Sequence, residues 1–117
     1  MAEFTARSFD APDETREFEN GRVDVLHVAD RLLARGTYQP GWRWSVSLGR
    51  GEPWCHLRHI GMAVSGRFAV LTDDGTQFEI GPGDVYEIPP GHDGWVIGDE
   101  PYVSIELNPD AIANVGL

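Results

Sequence analysis

Short runs of strand-forming residues, separated by turns rich in glycine and proline at intervals of about eight to twelve residues, constrain this chain more than any other feature. The 117 residues include 14 glycines and 8 prolines. Val23 to Val28 is rich in β-branched residues, Ala29-Asp30-Arg31 makes a tight connection, and Leu32 to Tyr38 returns as a second strand. Pro40-Gly41 is a turn signal, after which Trp42 and Trp44 are expected on one face of a third strand and Arg43 and Ser45 on the other. Gly49, Gly51 and Pro53 break the next stretch into a loop. Ser65-Gly66-Arg67 marks a strand pair, and Thr72-Asp73-Asp74-Gly75 is a hairpin signal because Asp-Gly supplies the positive φ such turns need. Gly81-Pro82-Gly83-Asp84 turns the chain again, and Pro89-Pro90-Gly91 stops the strand Val85 to Ile88. Trp95-Val96-Ile97, a turn at Gly98 to Pro101, and Tyr102 to Leu107 complete the series. No helical periodicity competes. The pattern predicts an all-β, antiparallel double-sheet domain over residues 22–117.

Residues 1–21 are polar and acidic, and they are expected to form an N-terminal arm with a short helical turn at Asp13 to Glu17. The arm would pack on the barrel or on a second subunit. Length bounds the chain to one domain. Nineteen acidic residues face nine basic ones, a net charge of −10, and lysine is absent, so nucleic-acid binding is not expected. No run reaches the ~18 apolar residues of a membrane span, no signal-peptide pattern opens the chain, and Cys55 has no second cysteine to pair with. A reducing, cytoplasmic setting is the expectation.

Two segments carry a more specific likeness. Cys55-His56-Leu57-Arg58-His59-Ile60-Gly61-Met62-Ala63-Val64-Ser65-Gly66-Arg67 and Gly81-Pro82-Gly83-Asp84-Val85-Tyr86-Glu87-Ile88-Pro89-Pro90-Gly91-His92 together resemble the two sequence motifs of the cupins. In that family the first motif has two histidines spaced H-x-H and then a glutamate seven residues before a glycine. The second has a glycine, a Pro-x-Gly and a histidine. Counting back from Gly66 places His59 at the glutamate position, Cys55 at the second histidine and Pro53, which cannot ligate, at the first. Gly83, Pro89 and Gly91 fit the second motif, while His92 falls two residues before the usual histidine and Gly94 takes its place. The likeness runs from about Gly36 to Leu107, and it is similar to small single-domain cupins with a Cys-x3-His and a Pro-Pro-Gly-His-Asp. It implies a cupin jelly-roll barrel with a metal or small-molecule site at its open end.

In that register Cys55, His59 and His92 are the candidate metal ligands. A thiolate with imidazoles suits zinc, and imidazole also suits iron and nickel. Three protein ligands leave a coordination position open, as catalytic sites do. A straight strand over 55–59 would hold the two α-carbons ~13 Å apart, so the site requires a turn at His56 to Arg58. His92 is also the first choice for acid–base work. Trp54 and Trp95 flank the ligands and are expected to line an apolar pocket. Met62, Phe68, Tyr86 and Ile105 read as interior filling, His56 as a rim residue and His27 as structural. Glu52 and Asp93 are reserve ligands, and Arg43 and Arg58 are candidates to meet an anionic substrate.

Three functions are compatible with this pattern. The first is a cupin that binds a divalent metal and a small molecule, as an oxygenase, isomerase or lyase. The second is a non-catalytic small-molecule-binding or sensory cupin, and the third a metal-free cyclase or isomerase using the apolar pocket. Open strand edges lead us to expect a homodimer.

Overall fold

The computed structural model describes residues 4–114. Among the described residues nine strands form two antiparallel sheets. The larger contains β1 (Glu14–Phe18), β2 (Gly21–Val28), β3 (Arg31–Tyr38), β9 (Tyr102–Glu106), β4 (His59–Ser65) and β7 (Val85–Ile88), in the order β1-β2-β3-β9-β4-β7. The smaller orders β6 (Gln77–Ile80), β5 (Arg67–Thr72) and β8 (His92–Ile97) as β6-β5-β8. β1, β2 and β3 pair in sequence, and from β4 onward the chain crosses between the two layers four times, as in a jelly roll.

The expected turns sit where the residues put them. Gly66 has φ +77° at the corner between β4 and β5, where an added Cβ would lie 2.2 Å from the Pro101 carbonyl oxygen. Gly75 has φ +90° in the β5–β6 hairpin. β7 ends at Ile88, immediately before the two prolines that lack N–H groups for a ladder. One face of each sheet is closed against the other. Ala63, Ile88 and Tyr102 of the larger sheet pack with Phe68, Val70, Ile80 and Val96 of the smaller one, together with Trp42. Phe68 and Tyr102 stack with ring centres 4.6 Å apart.

Four expectations change. Residues 14–18 form no helical turn: they are an edge strand, paired with β2 from Glu14↔Val25 to Phe18↔Gly21. Thr15 there hydrogen-bonds the fully buried Asp24, and Phe18 packs on the core, which outweighs the weak helical preference of a charged run. Trp42 and Trp44 share no strand, because Trp44–Ser47 is a short helix, α1. Its start is set from far along the chain: Asp93 Oδ1 accepts the Ser45 N–H at 3.0 Å, and Asp93 Oδ2 accepts from Arg43 Nε and Ser45 Oγ. A second helix, α2 (Pro109–Asn114), follows β9, and its Ile112 is completely buried against Val23, Val25 and Ala34. Asn108-Pro109-Asp110 was the available signal, a capping residue before a proline at the first helical position. Met62 is no interior filler but 39% exposed, facing out from β4, whereas Phe68 is buried and Tyr86 and Ile105 partly so.

Candidate metal centre

The three predicted ligands converge, and three different local devices bring them together. Cys55 belongs to no long strand. It forms a bridge with His92, its N–H donating to the His92 carbonyl (2.7 Å) while its own carbonyl accepts from the Gly91 N–H (2.8 Å). Residues 56–58 leave strand geometry, and β4 opens at His59. This irregular stretch, rather than a defined turn, meets the need that the spacing imposed: it lets the two side chains face each other, with Cys55 Sγ 3.9 Å from His59 Nε2. His92 is the first residue of β8. Its ring meets that of His59 edge to face, with centres 5.1 Å apart.

Each ring is held in one tautomer. His92 Nδ1 donates to the Pro89 carbonyl at 2.7 Å, so in the neutral ring Nε2 keeps its lone pair. His59 Nδ1 donates to Glu106 Oε1 at 2.5 Å, which turns its Nε2 toward Cys55. The Glu106 carboxylate is itself fixed, its Oε2 accepting from the Ile60 and Asn108 N–H groups. A carboxylate behind a ligating imidazole is the usual outer shell of a metal site. Glu106 was missed in the sequence because it lies on another strand, 47 residues from His59. The signal was the alternation in β9, where Tyr102, Ser104 and Glu106 all share the inward face.

Electrostatics follow from this contact. Burial pushes the Cys55 thiol up, but hydrogen bonds from the His59 and His92 side chains and the Leu57 N–H pull it further down, to about 6. Burial pushes His59 down, and the Cys55 and Glu106 hydrogen bonds and charges more than offset that, raising it to about 9. Near neutrality the two form a thiolate–imidazolium pair.

The donor set fits a divalent ion. One sulfur and two imidazole nitrogens lie within 4.8 Å of one another. A tetrahedral zinc site sets such atoms about 3.5 Å apart, so small side-chain rotations close the difference. All three face a cavity of about 350 Å³ whose walls include Tyr38, Trp42, Trp44, Trp54, Phe68 and Tyr102. The Tyr86 hydroxyl, bonded to Ser104 and Tyr102, adds a polar group to the same space.

The remaining expectations divide. Trp54 lines the cavity, but Trp95 does not: its ring lies under the Arg43 guanidinium at 4.4 Å. Asp93 is no ligand, being occupied by Arg43 and Ser45. Glu52 and His56 are exposed residues that line the cavity. Arg43 and Arg58 pair with Asp93 and Glu87, so neither is free for an anion. His27 is exposed, and its N–H donates to Asp13.

No protein-family model matches the sequence, and no curated protein is significantly similar to it. Solved structures do match. A cupin-like protein of Thermotoga maritima is 23% identical with a TM-score of 0.54, covering 74% of this chain and 65% of its own; this chain thus spans just under two thirds of that protein. A cupin superfamily protein of Desulfitobacterium hafniense is 17% identical with a TM-score of 0.51, over 89% of this chain and 83% of its own. A DMSP lyase structure is 14% identical with a TM-score of 0.52, over 74% of this chain and 45% of its own. The likeness is one of fold, two antiparallel β-sheets as in these cupin structures, and here Cys55, His59 and His92 cluster on the cavity wall. Among the described residues no helix is long and apolar enough to cross a membrane.

Proposed function

We propose that this chain binds one divalent metal ion through Cys55, His59 and His92 and a small molecule in the adjoining cavity, acting as a metal-dependent enzyme of oxygenase, isomerase or lyase type. The observation that carries the reading is the convergence of three soft-to-borderline donors, the two imidazoles each oriented by its own partner, on the wall of a largely apolar cavity. Zinc is the ion this set suits best. A bound ion with an open position would supply Lewis-acid polarisation of a substrate oxygen. The chain's own groups do the rest. Glu106 holds His59 in the ligating tautomer, and Pro89 does the same for His92. The aromatic walls give the trio a largely apolar surround, and the Tyr86 hydroxyl is placed to hold or move a proton. His92 thus serves as a ligand rather than as a free acid. This reading keeps the protein in the reducing cytoplasm, where Cys55 stays a thiolate.

Metal analysis of the purified chain by inductively coupled plasma mass spectrometry tests it. About one zinc per chain is expected after reconstitution and dialysis, with Cys55→Ala and His59→Ala each reduced to background while circular dichroism stays native. Unchanged metal content in both variants would overturn the ligand assignment.

A further inference from the structure

The walls of the cavity restrict what it can hold. Among the described residues no arginine lines it, and the chain has no lysine. The two arginines best placed by sequence are turned elsewhere: Arg43, between wall residues Trp42 and Trp44, is bound to Asp93 and stacked on Trp95, and Arg58 is bound to Glu87. The acids on the wall are Glu52 and Glu106, beside the Cys55 thiol. The one cation on the wall among the described residues, His59, already faces Cys55 and Glu106, so a carboxylate or phosphate taken out of water here would find no free cationic partner and would face like charge. The net charge of −10 adds to that at long range.

Size and surface narrow the choice further. An apolar cavity of about 150 Å³ takes one benzene ring, and this one is about 350 Å³. Tyr38 and Trp42, with centres 4.5 Å apart, and Phe68, 5.9 Å from Trp42, give flat faces for stacking. Polar groups gather at one place, where Tyr86 and Ser104 lie with the ligand trio. The buried Trp42 Nε1–H on the same wall has no hydrogen-bond partner among the described residues, and a fully apolar occupant would leave it so, whereas a hydroxyl or keto oxygen could accept from it.

We propose that the cavity takes an uncharged compound of two or three fused rings bearing a hydroxyl or keto oxygen, and rejects carboxylates and phosphates of equal size. The proposal rests on the reading above that the cavity beside the trio is the ligand site; its charge selectivity is that of the cavity walls themselves, without a bound ion.

Titration calorimetry at neutral pH with 2-naphthol and 2-naphthoate, on chelator-stripped protein, is the test. The stripped form matters because a carboxylate can bind a metal directly. The naphthol is expected to bind at least about tenfold more tightly than the naphthoate. Leu48→Arg, which sets a cation on the wall, is expected to reverse that order; Leu48 is only partly buried, and circular dichroism checks the fold. Equal or tighter binding of naphthoate by the unaltered protein, or no binding of either compound, overturns the proposal whether or not the variant folds. Zinc uptake on the same samples separates the two readings. Zinc bound without naphthol removes the ligand class and leaves the centre, whereas naphthol bound without zinc uptake does the reverse.

Discussion

At Cys55 a buried thiol is held ionised by two imidazoles, and the fate of that charge decides how an ion enters. With the thiol near 6 and His59 near 9, a metal binding between those values displaces the proton of His59 and none from Cys55. Zinc affinity is therefore expected to rise about tenfold per pH unit from 7 to 9, and to fall more steeply below 6 as the thiol protonates. Chelator competition across this range measures it, and a flat profile contradicts the pair. Glu106 acts one shell further out. Glu106→Gln keeps a hydrogen-bonding shape but loses the charge that favours ligation, and should weaken zinc binding by about 10- to 100-fold without loss of fold. The ligands were legible because motif spacing ties them to Gly66 and Gly91. Glu106 was not, since only pairing between β4 and β9 brings it behind His59.

Elements of this fold divide by where their instructions lie. Strands β2 to β9 are encoded locally, by branched residues between turn-forming ones. α1 is not, for its N-terminal turn is completed by Asp93, 48 residues from Ser45. The same carboxylate neighbours His92, so it joins the strand bearing a ligand to the segment that walls the cavity with Trp44, Leu48 and Trp54. Asp93→Ala leaves Arg43 Nε, the Ser45 groups and the Gly94 N–H without their acceptor. Because Arg43 is 42% exposed and water can replace part of the loss, a destabilisation of about 2 kcal/mol is expected in urea titration. A change below about 0.5 kcal/mol would show that α1 is held by packing alone. β1 was misread for the same reason: its partner strand and Asp24, not its own residues, make it extended.

Over the whole molecule, the outer face of the larger sheet carries an apolar stripe. Met62 and Val85 are register partners on β4 and β7, and with Val64 they stand 39%, 75% and 48% exposed. We propose that this stripe, beside the open edge of β7, joins two copies of the chain in a homodimer. Sedimentation velocity at micromolar concentration should give a dimer, and Val85→Asp a monomer; a monomeric unaltered protein would refute it. Fold class was plain in the turn spacing, while association and substrate lie in surfaces that no periodicity encodes. The account as a whole depends on one sulfur and two imidazoles meeting a single ion. X-ray absorption at the zinc edge of the reconstituted protein tests that most directly. One sulfur at about 2.3 Å and two imidazole nitrogens at about 2.0–2.1 Å are expected, with the sulfur shell lost in Cys55→Ser. A shell of oxygen and nitrogen only in the unaltered protein would contradict it.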